Sequence, residues 1–451
     1  MPKRDEEKVQ ELEKKGIVTK DGGGRRVIDA SKLEGPPVAG KKSYDPRRDM
    51  GKKVLPVHGR PKKKKKKTTP PLEVVEEVIE EEEEAPTQKV LLPSDMKQRE
   101  ELNKNFKKEF TMADENTPTG VGLDVGTSFL VSGRFENDGK IHFKQLRDCF
   151  LELTPKSPVN KKFMKKGLDD RKAPYIEKDG SFFVLGEEAF LMANERHVNT
   201  RRPMHRGVLS PQESEAMPIL KELVRRLVGE PRVENERLIF SVPGKPIDAD
   251  FDQFFHQDVL RSFIKSLGYD PQPMNEAEAL AYSELLEDGL TGVAISCGAG
   301  MMNVAVLSAG DPVVQFSTAK SGDWVDKQAA TATNMTHSIV QQEKESPEFD
   351  LMNPDPSNQI HQAISVYYGN LIVYTLEQIA YDLAKSPSLP KFKDPIPLVV
   401  GGGTSLPKGF IPKFEQALAA VDMPIEISQV RHASNPMHAV SNGLTLAASM
   451  E

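Results

Sequence analysis

Beyond about Thr117 the chain alternates short β-branched apolar runs with longer amphipathic stretches. Val121–Leu130 and Leu238–Val242 read as buried strands, and so do Gly292–Ser296, Asn303–Leu307 and Pro397–Val400. Ile219, Leu220, Leu223 and Leu227 recur at helical spacing, as do apolar residues in 259–267. Residues 367–383 predict a longer helix through Leu371, Tyr374, Leu376, Ile379 and Leu383. Strands alternating with helices predict an α/β architecture.

The pattern also echoes itself. Residues 119–126 read Thr-Gly-Val-Gly-Leu-Asp-Val-Gly, and 291–298 read Thr-Gly-Val-Ala-Ile-Ser-Cys-Gly. Each copy opens a strand, turns at Gly126 or Gly298, and enters a second apolar strand. Later, Leu238–Val242 leads into Pro243-Gly244, and Leu398–Val400 leads into Gly401-Gly402-Gly403. The matching order predicts two duplicated α/β halves facing across a cleft.

Before residue 117 there is no such periodicity. The chain holds 451 residues, with 61 Lys+Arg against 67 Asp+Glu. The first 70 residues carry about 22 basic and about 10 acidic groups. Lys62–Lys67 is an unbroken lysine run, and Glu73, Glu76, Glu77 and Glu80–Glu84 reverse the sign. Charge this dense repels itself and cannot build a core, so 1–117 is expected to be a disordered, basic-then-acidic extension, with at most a frayed helix over 72–84. It reads either as a solvated spacer or as an electrostatic arm for an acidic partner or anionic lipid, with nucleic acid the less favoured target. No run approaches the ~18 apolar residues of a membrane span. The opening Met1-Pro2-Lys3-Arg4-Asp5-Glu6-Glu7 lacks the apolar core of a secretory signal. Two distant cysteines, Cys149 and Cys297, make neither a disulfide scaffold nor a zinc site, and fit a reducing cytoplasm.

The glycine bends carry the candidate chemistry. A tight turn between two strands exposes successive N–H groups, which form a nest for anions. Gly126, Thr127 and Ser128 in the first bend, and Gly298, Ala299 and Gly300 in the second, would cradle phosphate. Asp124 repels phosphate, so its useful role is to hold a hydrated Mg²⁺. Gly401, Gly402, Gly403 and Thr404 offer a flat surface for adenine or ribose. The plain alternatives are a β-hairpin at 124–127 and, at 398–406, a strand-to-helix turn capped by Thr404 or Ser405.

These motifs resemble those of the actin-like ATPases. Gly122-Leu123-Asp124-Val125-Gly126-Thr127-Ser128 is similar to their first phosphate loop, and Ile295-Ser296-Cys297-Gly298-Ala299-Gly300 to their second. Met274-Asn275-Glu276-Ala277 through Tyr282 resembles the connecting helix that carries the catalytic residue. Val399–Leu406 resembles the adenosine loop, and Ser321-Gly322-Asp323-Trp324-Val325-Asp326 the turn that follows the second loop. Residues 435–443 resemble the second connecting helix. The stretches 183–190, Arg202-Pro203 and 207–210 are similar to the bacterial filament formers MreB and MamK. The resemblance runs from about 118 to the end of the sequence.

It implies an actin-like (ribonuclease-H-like) fold: duplicated α/β domains around a nucleotide cleft. It also implies ATP and Mg²⁺ between the halves, and head-to-tail self-assembly into filaments in a bacterial cytoplasm serving shape, organelle positioning or segregation. The expected lobes are 118–290, with a small insert at about 145–206, and 291–435, with an insert at about 326–388. A C-terminal helix at 436–451 would return to the first lobe. Glu276 would position the attacking water, unless it merely caps its helix. Asp124 would organise the metal, and Gly322 would add to the cofactor site.

The second loop departs from the family. Ser296 stands where an Asp is usual, Met301 and Met302 replace two Thr, and Asn303 replaces a final Asp. Phosphoryl transfer rests on positioning and electrostatics, so ATP hydrolysis is expected to suffer more than binding. A non-hydrolysing actin-fold scaffold is the principal rival. A chaperone-like ATPase lacks a substrate domain here, and a sugar kinase lacks a sugar site. His432 and His438 are expected to be structural or exposed, and Trp324 a packing residue.

Overall fold

The computed structural model describes residues 18–20, 26–28, 118–251 and 253–450. The chain divides into two compact units, Met1–Val90 and Leu91–Glu451. In the first, Val18–Lys20 (β1) pairs antiparallel with Arg26–Ile28 (β2). The rest of the expected disordered extension, including the lysine run and the acidic block, lies outside the described residues.

The second unit is built on two five-stranded sheets. The first begins with a hairpin, Val121–Val125 (β3) and Phe129–Phe135 (β4), followed by Ile141–Arg147 (β5). The chain reverses at Gly126, as the internal echo expects, so the buried segment 121–130 is shared by two strands of one hairpin.

A small antiparallel sheet comes next, from Phe150–Leu153 (β6), Tyr175–Lys178 (β7) and Ser181–Leu185 (β8), in the order β6-β8-β7. Helices Pro158–Asp170 (α1) and Gly186–Glu195 (α2) accompany it. Met204–His205 (β9) and Val208–Leu209 (β10) form a short ribbon.

Helix Ala216–Val228 (α3) buries Ile219, Leu220, Leu223, Val224 and Leu227, the stripe expected from the sequence, and ends at Gly229. Strand Arg237–Val242 (β11), helix Phe254–Ser266 (α4), strand Asp270–Asn275 (β12) and helix Glu276–Glu284 (α5) complete this half.

The second half repeats the plan with Gly292–Cys297 (β13), Met302–Ser308 (β14) and Asp311–Thr318 (β15). Helices Gly322–Thr333 (α6), His337–Glu345 (α7) and Gln359–Lys385 (α8) follow. The chain closes with Ile396–Gly401 (β16), Phe410–Leu418 (α9), Ile427–His432 (β17) and Ala439–Ser449 (α10).

The spatial orders are β12-β11-β3-β4-β5 and β15-β14-β13-β16-β17. Numbered within each half, both read 5-4-1-2-3 from one edge or the other. In both, the first three strands pair antiparallel and the last two join parallel to the first. The internal echo is therefore a duplicated topology.

Burial explains the composition of the central strands. Every residue of β13 and of β16 is buried, as parallel strands covered on both faces require. Each sheet has its own apolar core on its outer side, with α3 and α4 on the first and α6, α8 and α9 on the second. A third core, rich in small residues, lies between the sheets: Ala277, Ala279, Leu280 and Ala281 of α5 meet Ala439, Val440 and Leu444 of α10. Each buried Leu or Val contributes roughly 1.5–3 kcal/mol. The cleft thus rests on rigid, fully packed strands.

Candidate functional site

A cavity of about 490 Å³ opens between the two sheets. Both hairpins face it. Its walls include Asp124, Gly126, Thr127 and Ser128 from the first half, Gly298, Ala299 and Gly300 from the second, and Glu276 from α5. Gly402, Gly403 and Thr404 line another wall. Gly322 and Gly401 do not reach it. Gly322 lies behind the second hairpin, donating its N–H to Gly298 O at 3.3 Å, and Gly401 packs on Leu280.

The turns are built alike. Gly126 N–H donates to Phe129 O at 3.1 Å, and Gly298 N–H donates to Met301 O at 2.9 Å. These two donors close their own turns and are spent. The N–H groups of Thr127, Ser128, Ala299 and Gly300 have no hydrogen-bond partner among the described residues. They are the donors left for an anion. The hairpins also touch: a Cβ on Gly300 would overlap Thr127 Oγ1 and stand 2.6 Å from Gly207 N. Thr127 Oγ1 already accepts the Gly207 N–H at 3.0 Å.

Two carboxylates lie at the floor. Ser241 Oγ donates to Asp124 Oδ1 at 2.8 Å and accepts the Val125 N–H at 2.8 Å. Burial nonetheless raises the Asp124 pKa to about 6. Glu276 is pushed higher, to about 8, by burial and then by the neighbouring Asp124 charge, against the bonds from Ser296 and Asn303. Asn275, not Glu276, caps α5: its Oδ1 accepts from Ala277 N at 2.9 Å and Glu278 N at 3.3 Å. Glu276 is thereby released from the capping role that sequence left open.

Asn303 holds Glu276 in place. Its Oδ1 accepts the Gly244 N–H at 2.8 Å, and its Nδ2 donates to Glu276 Oε2 at 2.8 Å. A backbone N–H can only donate, so the amide orientation is fixed. Ser296 Oγ stands 3.5 Å from the same carboxylate oxygen.

The adenosine-like loop is tied into the second hairpin. Thr404 Oγ1 donates to Gly298 O at 2.8 Å, and Ser405 Oγ donates back to Gly402 O at 2.7 Å. Neither residue caps a helix. His432 Nε2 meets Ser405 Oγ at 2.8 Å, while His438 stacks on Phe143 at 4.7 Å. Trp324 packs edge-on to Tyr367 at 5.6 Å.

Polar bridges join the two halves beside the cavity. Arg202 reaches Asp323 at 2.7 Å and Gln341 at 2.8 Å. Arg147 reaches Glu345 at 2.7 Å, and Gln341 reaches Ser128 at 3.3 Å. Asp326 of the same turn pairs instead with the buried Lys344 at 2.7 Å. Sequence reasoning missed Ser241, Arg147, Gln341, Lys344 and Glu345. Their positions are scattered through the chain, and only the fold gathers them.

The donor set suits a hard divalent cation held together with phosphate oxygens. Half-buried Asp124 and buried Glu276 supply two carboxylates whose ionised forms are disfavoured by desolvation. Among the described residues no three potential ligands cluster, so a cation here must complete its shell with water and phosphate, as Mg²⁺ does.

A family model matches residues 120–448. The chain belongs to the Volactin family. No curated protein matches it significantly. Among solved structures it is similar to the MamK double helical filament, at 18% identity and a TM-score of 0.54, covering 74% of this chain and 99% of that one. It is also similar to MreB 5 of Spiroplasma citri bound to AMPPNP, at 16% identity and a TM-score of 0.53, covering 74% and 96%. The ADP-bound form of that protein matches at 16% identity and a TM-score of 0.50, covering 73% and 96%. The fold of this chain is therefore actin-like. No helix among the described residues is long and apolar enough to cross a membrane.

Proposed function

We propose that this chain is a cytoplasmic, nucleotide-binding cytoskeletal protein that assembles head to tail into filaments. One observation carries the reading: two equivalent glycine turns present free N–H groups to one cavity floored by Asp124 and Glu276. Thr127, Ser128, Ala299 and Gly300 would hold the phosphates, and Gly402, Gly403 and Thr404 the adenosine. Asp124 would hold Mg²⁺, which when bound with ATP neutralises the phosphates. Glu276 would orient the attacking water. The lobes expected at 118–290 and 291–435, with small inserts at 145–206 and 326–388, are the units we propose move against each other. A head-to-tail contact is heterologous and builds open filaments suited to shape, positioning or segregation.

Slow hydrolysis is part of the proposal. Buried Met301 replaces a hydroxyl at the cavity wall, and Asn303 occupies one oxygen of Glu276. Those same observations favour the second reading, a scaffold that binds nucleotide without turning it over or not at all. Titration calorimetry with ATP and Mg²⁺, beside pelleting and electron microscopy, separates the two. Micromolar binding with nucleotide-dependent filaments is expected. A chain that stays monomeric under every nucleotide condition overturns the filament reading, and absent binding leaves the scaffold.

A further inference from the structure

Helix α1 wastes apolar surface. Phe163 is 71% exposed and Val159 64% exposed, one turn apart on the same face. Only Leu168 of this helix is buried. Helix formation does not depend on them: Pro158 opens the helix, and Ser157 Oγ accepts the Asn160 N–H at 3.1 Å as its cap. On a helical wheel, Lys162 and Lys166 fall on the same outward face, opposite Leu168. Neither forms an ion pair among the described residues, and Lys165 forms none either, while Lys161 pairs with Glu177 at 2.6 Å.

We infer that α1 is a docking surface for an anionic lipid bilayer, its lysines meeting headgroup phosphates while Phe163 and Val159 enter the acyl boundary. Charge complementarity selects the occupant. From Lys156 to Lys172 the segment holds Lys156, Lys161, Lys162, Lys165, Lys166, Arg171 and Lys172 against Asp169 and Asp170. Aliphatic Val159 beside Phe163 favours lipid over a nucleic acid, because a valine has no ring face on which a base could stack. An amphipathic helix with lysines beside exposed aromatic and aliphatic tips lies in the interface plane rather than spanning it. Attachment of this kind is weak from one element, so it needs a second signal, which further helices of a filament or the Lys62–Lys67 run would supply.

The test uses the full chain and sedimentation with vesicles of pure phosphatidylcholine or of phosphatidylcholine mixed with phosphatidylglycerol. Binding only to the mixed vesicles is expected. Replacing Lys162, Lys165 and Lys166 by Gln is expected to weaken it about fivefold per lysine at low salt. The pair Val159→Ser and Phe163→Ser is expected to weaken it about tenfold or more with an unchanged melting temperature. A second readout is local: Phe163→Cys carrying a polarity-sensitive dye is expected to shift blue on the mixed vesicles, since Cys149 and Cys297 are buried and do not label. Parent-like binding by the α1 variants, with loss only when Lys62–Lys67 become Gln, overturns the proposal. So does no dye shift, equal binding to neutral vesicles, or capture by an acidic protein surface without vesicle binding.

Discussion

Gly126 and Gly298 close their turns with the same bond, an N–H to the carbonyl three residues on, at 3.1 and 2.9 Å. A Cβ at either glycine would strike that same carbonyl, at 2.6 and 2.7 Å. Around this shared backbone the side chains diverge. Two residues before the glycine stand Asp124 and Ser296; one and two residues after it stand Thr127 and Ser128, against Ala299 and Gly300. Five residues after it come Val131 and Asn303. The first turn carries the charge and the hydroxyls. The second is stripped nearly to backbone, and Gly300 is pressed against Thr127 from the other half. A glycine turn fixes where N–H groups point; its neighbours decide what chemistry is done there. This site places most of that chemistry on one side.

Three experiments sharpen the comparison. The largest effect concerns charge. Glu276 has its folded pKa raised from 4.5 to about 8. Its contribution to stability is therefore fully present below the unfolded value and is lost as pH rises through the folded one. The free energy of urea unfolding measured without divalent cations is expected to fall between about pH 5 and about pH 8, by an amount on the order of a few kcal/mol. Glu276→Gln should flatten that slope, and a slope unchanged in the variant would show that the charge lies elsewhere.

The second experiment tests the asymmetric contact. Gly300→Val drives a side chain into Thr127 and the Gly207 backbone, and is expected to cost about 3 kcal/mol with loss of nucleotide retention. Ser128→Ala, at the matching position of the first turn, should stay within about 0.5 kcal/mol. Equal urea midpoints for the two variants would refute the asymmetry. The third effect is smaller. Asn303→Ala strands the Gly244 N–H and one Glu276 oxygen, at a cost of about 2 kcal/mol in urea unfolding. Asn303→Asp should be worse at pH 8 than at pH 6, because it sets an acceptor against an acceptor.

Much of this architecture could be read from residue order. Helix α3 follows its apolar stripe, β11, β13 and β16 follow their β-branched runs, and the echo between 119–126 and 291–298 became one topology drawn twice. Periodicity reports which face is buried, and burial is what builds sheets and helices. At Gly126 the periodicity alone would have run on, and it was the glycine that marked the reversal.

The cavity was less legible. Asp124, Glu276 and the glycines announced themselves by local motif, since a tight turn or a helix start is decided by adjacent residues. Ser241, Gln341 and Glu345 did not, because their role depends on Asp124, Ser128 and Arg147, each more than a hundred residues away. Nor did the sequence show that the N–H groups of Gly126 and Gly298 donate within their own turns. The sequence alone determined the two turns, the two sheets and the charged extension ahead of them. Tertiary structure alone decided that the turns meet, that Asn303 clamps Glu276, and that two carboxylates share one floor. Local backbone preference is encoded by neighbours in the chain, whereas desolvation and charge depend on neighbours in space.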